Sequence, residues 1–190
     1  MNLSNISEKN KYWISAGCLL FMIYSTLYIV RPICTFLTGF SYFPLSMNLM
    51  MVVFLSLSVY YFVSKCSIKL KSTYYLLFLV IGFYIYNIIQ IKHPEEKLHF
   101  VEYGILAFLV YKALLFDFSM WPSLGLALLI TSICGWSDEG IQYILPNRVY
   151  SIKDVQLNSM SGLLVLCLAF IFEREKKNYL EKSKQKSDNK

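Results

Sequence analysis

Apolar residues occur in long runs along the chain, and most charged residues lie between the runs. Runs of about 17–25 apolar residues are long enough to cross the roughly 30 Å hydrocarbon core of a bilayer as α-helices. The pattern predicts six spans, at residues 12–30, 45–63, 73–91, 98–116, 121–145 and 155–172. We therefore expect an all-α, polytopic transmembrane helix bundle.

The prolines support this division, because proline removes a helix hydrogen bond and favours helix ends. All five fall at predicted boundaries and none in the middle of a predicted span: Pro32, Pro44, Pro94, Pro122 and Pro146. Residues 31–46 are too apolar for a solvated loop and are interrupted by proline and glycine. We expect this segment to lie as a loop along the outer membrane surface.

Composition and charge agree with a membrane protein and suggest its orientation. The chain is 56% hydrophobic. If both termini are cytoplasmic, thirteen of the 18 Lys and Arg residues fall on the inner side and five on the outer side, as the positive-inside rule requires. The same distribution accounts for the net charge of +6, so no nucleic-acid partner is indicated. Residues 1–172 are predicted to form one transmembrane domain, and residues 173–190 a basic cytoplasmic tail.

Motifs of soluble enzymes are missing from the sequence. It contains no Gly-rich nucleotide loop, no Gly-x-Ser-x-Gly elbow, no His-Glu-x-x-His and no Cys-x-x-Cys pair. The five cysteines are isolated and are read as small apolar fillers. We expect neither a cofactor nor a resident metal ion.

Ionisable residues gather at one end of the later spans. His99 stands at the mouth of the fourth span, and Glu102 and Tyr103 follow about one helical turn inside. Asp138 and Glu139 lie about 27 Å along the fifth span, near the same boundary. Charged groups near hydrocarbon are costly, so their presence indicates a functional site.

The sixth span and the loop before it add to this layer. Asp154 begins the span and Asn158 follows at i+4 on the same face, while Gln142 follows Glu139 at i+3. We expect these residues to converge with Arg148 in one outward-facing cavity. Asn87 and Gln90, at the end of the third span, could line the same cavity.

Several of these residues also have purely structural explanations. Ser151 and Asp154 resemble a helix capping box, which needs no chemistry. His99 and Tyr103 fit an interfacial belt, and Arg148 could contact lipid headgroups. The coincidence of the whole set at one depth favours a site.

Three stretches carry a recognisable pattern. They read Glu96-Lys97-x-His99-Phe100-x-Glu102-Tyr103, Asp138-Glu139-x-x-Gln142-x-x-x-Pro146-x-Arg148 and Ser151-x-x-Asp154-Val155-x-x-Asn158-x-x-x-Gly162. Over residues 93–170 the chain resembles the VanZ-like family of bacterial membrane proteins, whose namesake is associated with low-level resistance to the glycopeptide teicoplanin. The resemblance implies a cell-envelope role and a location in the bacterial cytoplasmic membrane. Residues 1–92 carry no signature of the family.

The leading hypothesis is a site that handles an amphiphilic envelope molecule, either a lipid-linked wall precursor or a glycopeptide with its acyl tail. Besides this ligand, the expected partners are membrane lipids. Arg148, with Lys97 and Lys153 nearby, would hold a phosphate or carboxylate. The candidate substrate-binding residues are Arg148, Gln142, Asn158, Tyr103, Glu102 and Asp138.

A catalytic version of this hypothesis uses His99 and Glu139 as acid and base, because histidine titrates near neutrality, with Asp154 orienting the histidine. A subsidiary version binds a divalent cation through His99, Glu102, Glu139 and Asp154. The alternative is a non-enzymatic scaffold or binding protein, whose polar cluster is a hydrogen-bonded network between helices. The sequence leaves open whether the protein is an enzyme.

Overall fold

The computed structural model describes residues 3–65, 71–145 and 150–188. Within these ranges the chain forms six α-helices and no strand, which confirms the all-α prediction. The helices are α1 (Leu3–Leu37), α2 (Phe43–Lys65), α3 (Lys71–Gln90), α4 (Pro94–Leu114), α5 (Met120–Ile144) and α6 (Ile152–Asp188).

Five of these helices, all except α4, are long and apolar enough to cross a membrane. The fold is therefore that of a multi-pass helical membrane protein. The fourth helix differs because its 21 residues include five charged ones: Glu95, Glu96, Lys97, Glu102 and Lys112.

Helix α4 is the core of the bundle. It packs against α1, α2, α5 and α6, and twelve of its 21 residues are buried. By contrast, many large apolar side chains of α1, α2 and α3 are exposed on the surface of the bundle, as expected for helices that face lipid.

Small residues allow the central helices to approach closely. A Cβ atom added at Gly104 of α4 would lie 3.0 Å from the Ser161 hydroxyl and 3.1 Å from Val165, both on α6. A Cβ atom at Gly135 of α5 would lie 3.0 Å from the Cβ of Asn158. Glycine at such crossings is typical of membrane helices, whose association depends on close packing.

The prediction for residues 31–46 is wrong. Helix α1 continues through Pro32 to Leu37, and only residues 38–42 separate it from α2. Proline inside a membrane helix is tolerated where neighbouring groups satisfy the freed carbonyl, so it does not have to end the helix. Pro44, Pro94 and Pro122 lie in the first turns of their helices, as expected; Pro146 lies outside the described residues.

Two ion pairs join the ends of α1 to the ends of α4. Lys9 Nζ lies 2.6 Å from an Asp117 oxygen just beyond the end of α4, and Arg31 Nε lies 3.4 Å from Glu95 in its first turn. The two helices are therefore antiparallel, and the part of α1 from Lys9 to Arg31 runs alongside α4.

Helix α6 extends far beyond the predicted span. It continues through the predicted tail to Asp188, and the buried Glu175 accepts a hydrogen bond from the hydroxyl of Thr73 on α3. The first part of the tail is thus attached to the bundle.

Candidate functional site

A cavity of about 680 Å³ opens at one end of the bundle. The ends of α1, α3 and α5 and the beginnings of α4 and α6 surround it. Its walls combine both signs of charge with amides and two histidines: Arg31, Lys92, Lys153, Glu95, Glu96, Asp154, Asn87, Gln90, Gln142, Gln156, Asn158, His93 and His99. In an apolar bundle, such a polar concave surface is the leading candidate for a binding site.

His99 lies on the cavity wall beside two carboxylates. Its Nδ1 atom is 3.2 Å from an oxygen of Glu102, one turn further along α4, and 4.0 Å from an oxygen of the fully buried Asp138. Asp154 is expected from the sequence to orient His99, whereas in the structure the carboxylate of Glu102 lies 3.2 Å from Nδ1. A carboxylate in this position fixes the tautomer and stabilises the protonated ring.

Glu139 lies just behind the cavity and joins α5 to the start of α6. One carboxylate oxygen accepts a hydrogen bond of 2.9 Å from Gln142, and the other accepts one of 3.0 Å from the backbone N–H of Ser151. Gln142 and Ser151 both line the cavity. Glu139 is 1% exposed, so these bonds compensate part of the cost of burying it.

Asp154 combines a structural and a cavity-lining position. Its backbone N–H donates to the Ser151 hydroxyl at 3.3 Å, as predicted for a helix cap. Its carboxylate side chain lines the cavity. The cap therefore accounts for Ser151 and the backbone of Asp154, but not for the choice of a charged side chain.

Asn158 is the least satisfied polar residue of the site. It lines the cavity one turn below Asp154 and is 1% exposed. Neither atom of its amide has a hydrogen-bond partner in the described part of the chain. A buried amide without partners costs about 1–3 kcal/mol, so a polar group entering the cavity would find here both a donor and an acceptor.

Tyr103 lies deeper in the bundle than the cavity. Its side chain is fully buried, and its hydroxyl donates to the backbone oxygen of Cys134 at 3.3 Å. Tyr24 of α1 donates to the same oxygen at 2.8 Å. The two tyrosines thus form a contact between α1, α4 and α5, which is a structural role.

The structure brings four of the predicted site residues onto the cavity wall: His99, Gln142, Asp154 and Asn158. Four others lie in the layer around it: Glu102, Asp138, Glu139 and Tyr103. Arg148 lies outside the described residues. Asn87 and Gln90, suggested from the end of the third span, line the cavity.

Lys97 does not join the predicted anion site. Its ammonium group donates a 2.6 Å hydrogen bond to Asn48 of α2, and its side chain is buried. The expectation that Lys97 helps to hold a phosphate is therefore wrong. Lys153 lines the cavity.

Sequence reasoning gave no role in the site to Arg31 or His93, which line the cavity together with Glu95 and Glu96. Arg31 was treated only as a charge for orientation, and the end of α1 was placed too early to bring it near Glu95. To predict the pair of Arg31 and Glu95, one must know that α1 continues to Leu37. Pro32 suggested that the helix ends earlier.

The surroundings of Glu96 on this wall disfavour the charged form of its side chain. This residue precedes the predicted membrane span, which begins at Leu98. Partial burial and the neighbouring carboxylate of Asp154 raise its pKa above the ordinary value, against a smaller opposite effect of His93. Two carboxylates of α4 and α6 thus share one side of the cavity.

The metal-binding version finds no support in the geometry. Among the described residues, no group of three or more His, Cys, Asp and Glu side chains is placed to hold a metal ion.

Comparisons with known proteins identify no relative. No protein-family model matches the chain, no curated protein matches it, and no solved structure matches it.

Proposed function

We propose that the chain is a VanZ-like protein of the bacterial cytoplasmic membrane, whose cavity binds the polar headgroup of an amphiphilic envelope molecule. The ligand is a lipid-linked wall precursor or a glycopeptide with its acyl tail, and the protein contributes to glycopeptide resistance of the teicoplanin type. The observation that carries the proposal is the polar cavity of about 680 Å³ at one end of an apolar bundle.

The proposed topology has six spans and two cytoplasmic termini. Support for a sixth span comes from the ion pairs at the two ends of α4. Lys9 and Arg31 are 22 residues apart on α1, which corresponds to about 33 Å of helix. Because α4 reaches both residues, it covers the same depth as α1, which is apolar enough to span. The positive-inside rule then places the cavity on the outer side.

A cavity at the outer membrane boundary suits a ligand with a polar head and an apolar tail. The polar walls can bind the head, while the exposed apolar faces of the surrounding helices adjoin lipid, where an acyl tail is soluble. In a catalytic version, His99 exchanges a proton with the ligand while Glu102 holds its ring.

A second candidate function is purely structural, and Glu139 is the residue that favours it. Its two oxygens accept hydrogen bonds from Gln142 and from the backbone of Ser151. In this version the polar layer fixes the position of α6 against α5, and the cavity has no ligand. Polar contacts between membrane helices are worth about 1 kcal/mol each.

Complementation of a deletion strain separates the two candidates. The strain is screened for sensitivity to glycopeptides and other envelope antibiotics, and then for restoration by His99→Gln and Glu139→Gln. A functional site predicts loss of complementation with near-normal expression and thermal stability in detergent. Glu8→Gln, at an exposed position near the start of α1, is the control and should complement fully.

The structural alternative predicts a different result. Glu139→Gln then lowers stability by about 1–3 kcal/mol, because the amide nitrogen meets a donor where an oxygen accepted a hydrogen bond. Full complementation by both variants would exclude acid–base chemistry at these residues.

A further inference from the structure

We propose that the cavity binds a zwitterionic headgroup, with a primary ammonium group held by Glu96, Asp154 and Asn158 and an adjoining phosphate directed toward Lys92 and Lys153. This inference rests on the part of the proposed function by which the cavity binds the polar head of an amphiphilic molecule, and it narrows the ligand to a lipid that carries an amine beside a phosphate. It does not depend on whether a reaction takes place.

Two carboxylates, those of Glu96 and Asp154, form an acidic wall of the cavity. Glu96 comes from α4 and Asp154 from α6, and both line the cavity. They are close enough for the charge of Asp154 to raise the pKa of Glu96. Neither carboxylate has a Lys or Arg partner among the described residues, whereas Arg31 on the same cavity is paired with Glu95. A cation between the two carboxylates would relieve their repulsion.

The amide of Asn158 also indicates a polar ligand, independently of the charges. This residue lies one helical turn below Asp154 on the same face of α6. It is 1% exposed, lines the cavity, and has no hydrogen-bond partner for its amide oxygen within the described ranges. A primary ammonium group has three N–H donors. Glu96, Asp154 and the Asn158 oxygen supply three acceptors.

Charge is balanced among the described residues that line the cavity. They include three carboxylates, those of Glu95, Glu96 and Asp154, and three basic side chains, those of Arg31, Lys92 and Lys153. A site for a simple anion would show an excess of basic groups. Lys92 and Lys153 are exposed, whereas Glu96 and Asp154 are half-buried, so the ammonium group of a zwitterion would bind at the more buried groups and its phosphate at the more exposed ones.

The test compares two lipids that differ only at the amine. The full chain, purified in detergent, is mixed with phosphatidylethanolamine or with its N-acetyl derivative, which keeps the phosphate and the acyl chains but lacks the ammonium group. Native mass spectrometry measures the lipid that remains bound. We expect the wild-type protein to retain phosphatidylethanolamine at least about tenfold better, because hydrogen bonds to charged groups are the strong ones.

Substitutions of cavity residues test whether the preference for phosphatidylethanolamine arises in the cavity. Glu96→Gln combined with Asp154→Asn should abolish the difference between the lipids, whereas Glu8→Gln should preserve it. Lys92→Gln combined with Lys153→Gln changes only exposed positions, so folding is not at risk, and should weaken binding of both lipids equally. Soluble glycerophosphoethanolamine is added as a competitor: displacement shows that the headgroup alone is bound, and lack of displacement shows that the acyl chains are also required.

Three results would overturn the inference, and they have different meanings for the proposed function. Equal retention of both lipids by the wild-type protein excludes the ammonium subsite and leaves the cavity as a lipid-binding site. Retention of neither lipid, in a protein with a normal unfolding temperature, removes both the subsite and lipid binding. Preference that persists in the Glu96 and Asp154 double variant places the ammonium group elsewhere on the protein.

Discussion

Glu96 is the residue at which the electrostatics of the cavity can be measured without a ligand. Its partial burial beside Asp154 raises its pKa. The folded protein therefore binds a proton at this carboxyl at a higher pH than the unfolded chain does. The contribution of Glu96 to stability is thus fully present at low pH and is lost as the pH rises through the folded-state pKa.

The corresponding prediction concerns Glu96→Gln, which imitates the protonated side chain. We expect the variant and the wild type to unfold at similar temperatures near about pH 5, and the variant to be the more stable near about pH 8. Thermal unfolding in detergent over this range measures the difference. Gln90→Asn, which changes an uncharged side chain of the same cavity, should show a difference that is constant with pH. A constant difference for Glu96→Gln would contradict the assigned electrostatics.

Among individual residues, the sequence identified those whose burial is surprising on an apolar helix. His99, Glu139 and Asn158 stand out because a polar group within a predicted span is rare, and Asp154 stands out because it immediately precedes the sixth span. The pairing of Lys97 with Asn48 could not be predicted in this way. It depends on the separation of α2 and α4, which no local pattern specifies.

At the scale of helices, close packing at Gly104 fixes the distance between α4 and α6. The hydroxyl of Ser161 on α6 donates to the backbone oxygen of Phe100, one turn before Gly104 on α4. The close approach at Gly104 and this hydrogen bond fix the relative position of α4 and α6, the helices that carry Glu96 and Asp154. A larger residue at Gly104 would separate them.

We therefore expect Gly104→Val to lower stability by about 1–3 kcal/mol, because the added atoms overlap Ser161 and Val165. Gly125→Val is the matched control: it also lies within a helix, but an added Cβ would have no atom within 4 Å. The control should change stability by less than about 1 kcal/mol. Detergent unfolding of both proteins provides the comparison, and equal losses would show that the effect is one of helix propensity.

Helix positions were predictable because the apolar runs end close to prolines, so that both features mark the same boundaries between helices. The end of α1 was not predictable, because a proline can lie within a membrane helix when neighbouring groups satisfy the backbone carbonyl that it leaves free. The attachment of the tail to the bundle was not predictable either, since the buried contact of Glu175 with Thr73 joins residues about one hundred positions apart.

For the whole molecule, the decisive question is whether α4 crosses the membrane. Its central position explains how it can cross despite its charges: most of its surface faces protein instead of lipid. Composition alone cannot reveal this, because hydropathy treats every helix as if lipid surrounded it. The ion pairs with α1 are the observations that favour a crossing by α4.

Single-cysteine labelling tests the topology. In a background without native cysteines, Lys92→Cys and Phe118→Cys flank α4 at exposed positions. A membrane-impermeant maleimide added to intact cells should label position 92 and leave position 118 unmodified until the cells are opened. Labelling at neither position or at both would show that α4 does not cross, and labelling at position 118 alone would reverse the orientation.

The ion pairs at the two ends of α1 also relate the protein to the thickness of its bilayer. Lys9 with Asp117 and Arg31 with Glu95 connect α1 and α4 at both ends, about 33 Å apart along α1, compared with about 30 Å of hydrocarbon. A thinner bilayer cannot be matched by sliding one helix along the other without breaking a pair, so both must tilt together. Because Glu95 belongs to the cavity wall, hydrophobic mismatch would act directly on the mouth of the cavity.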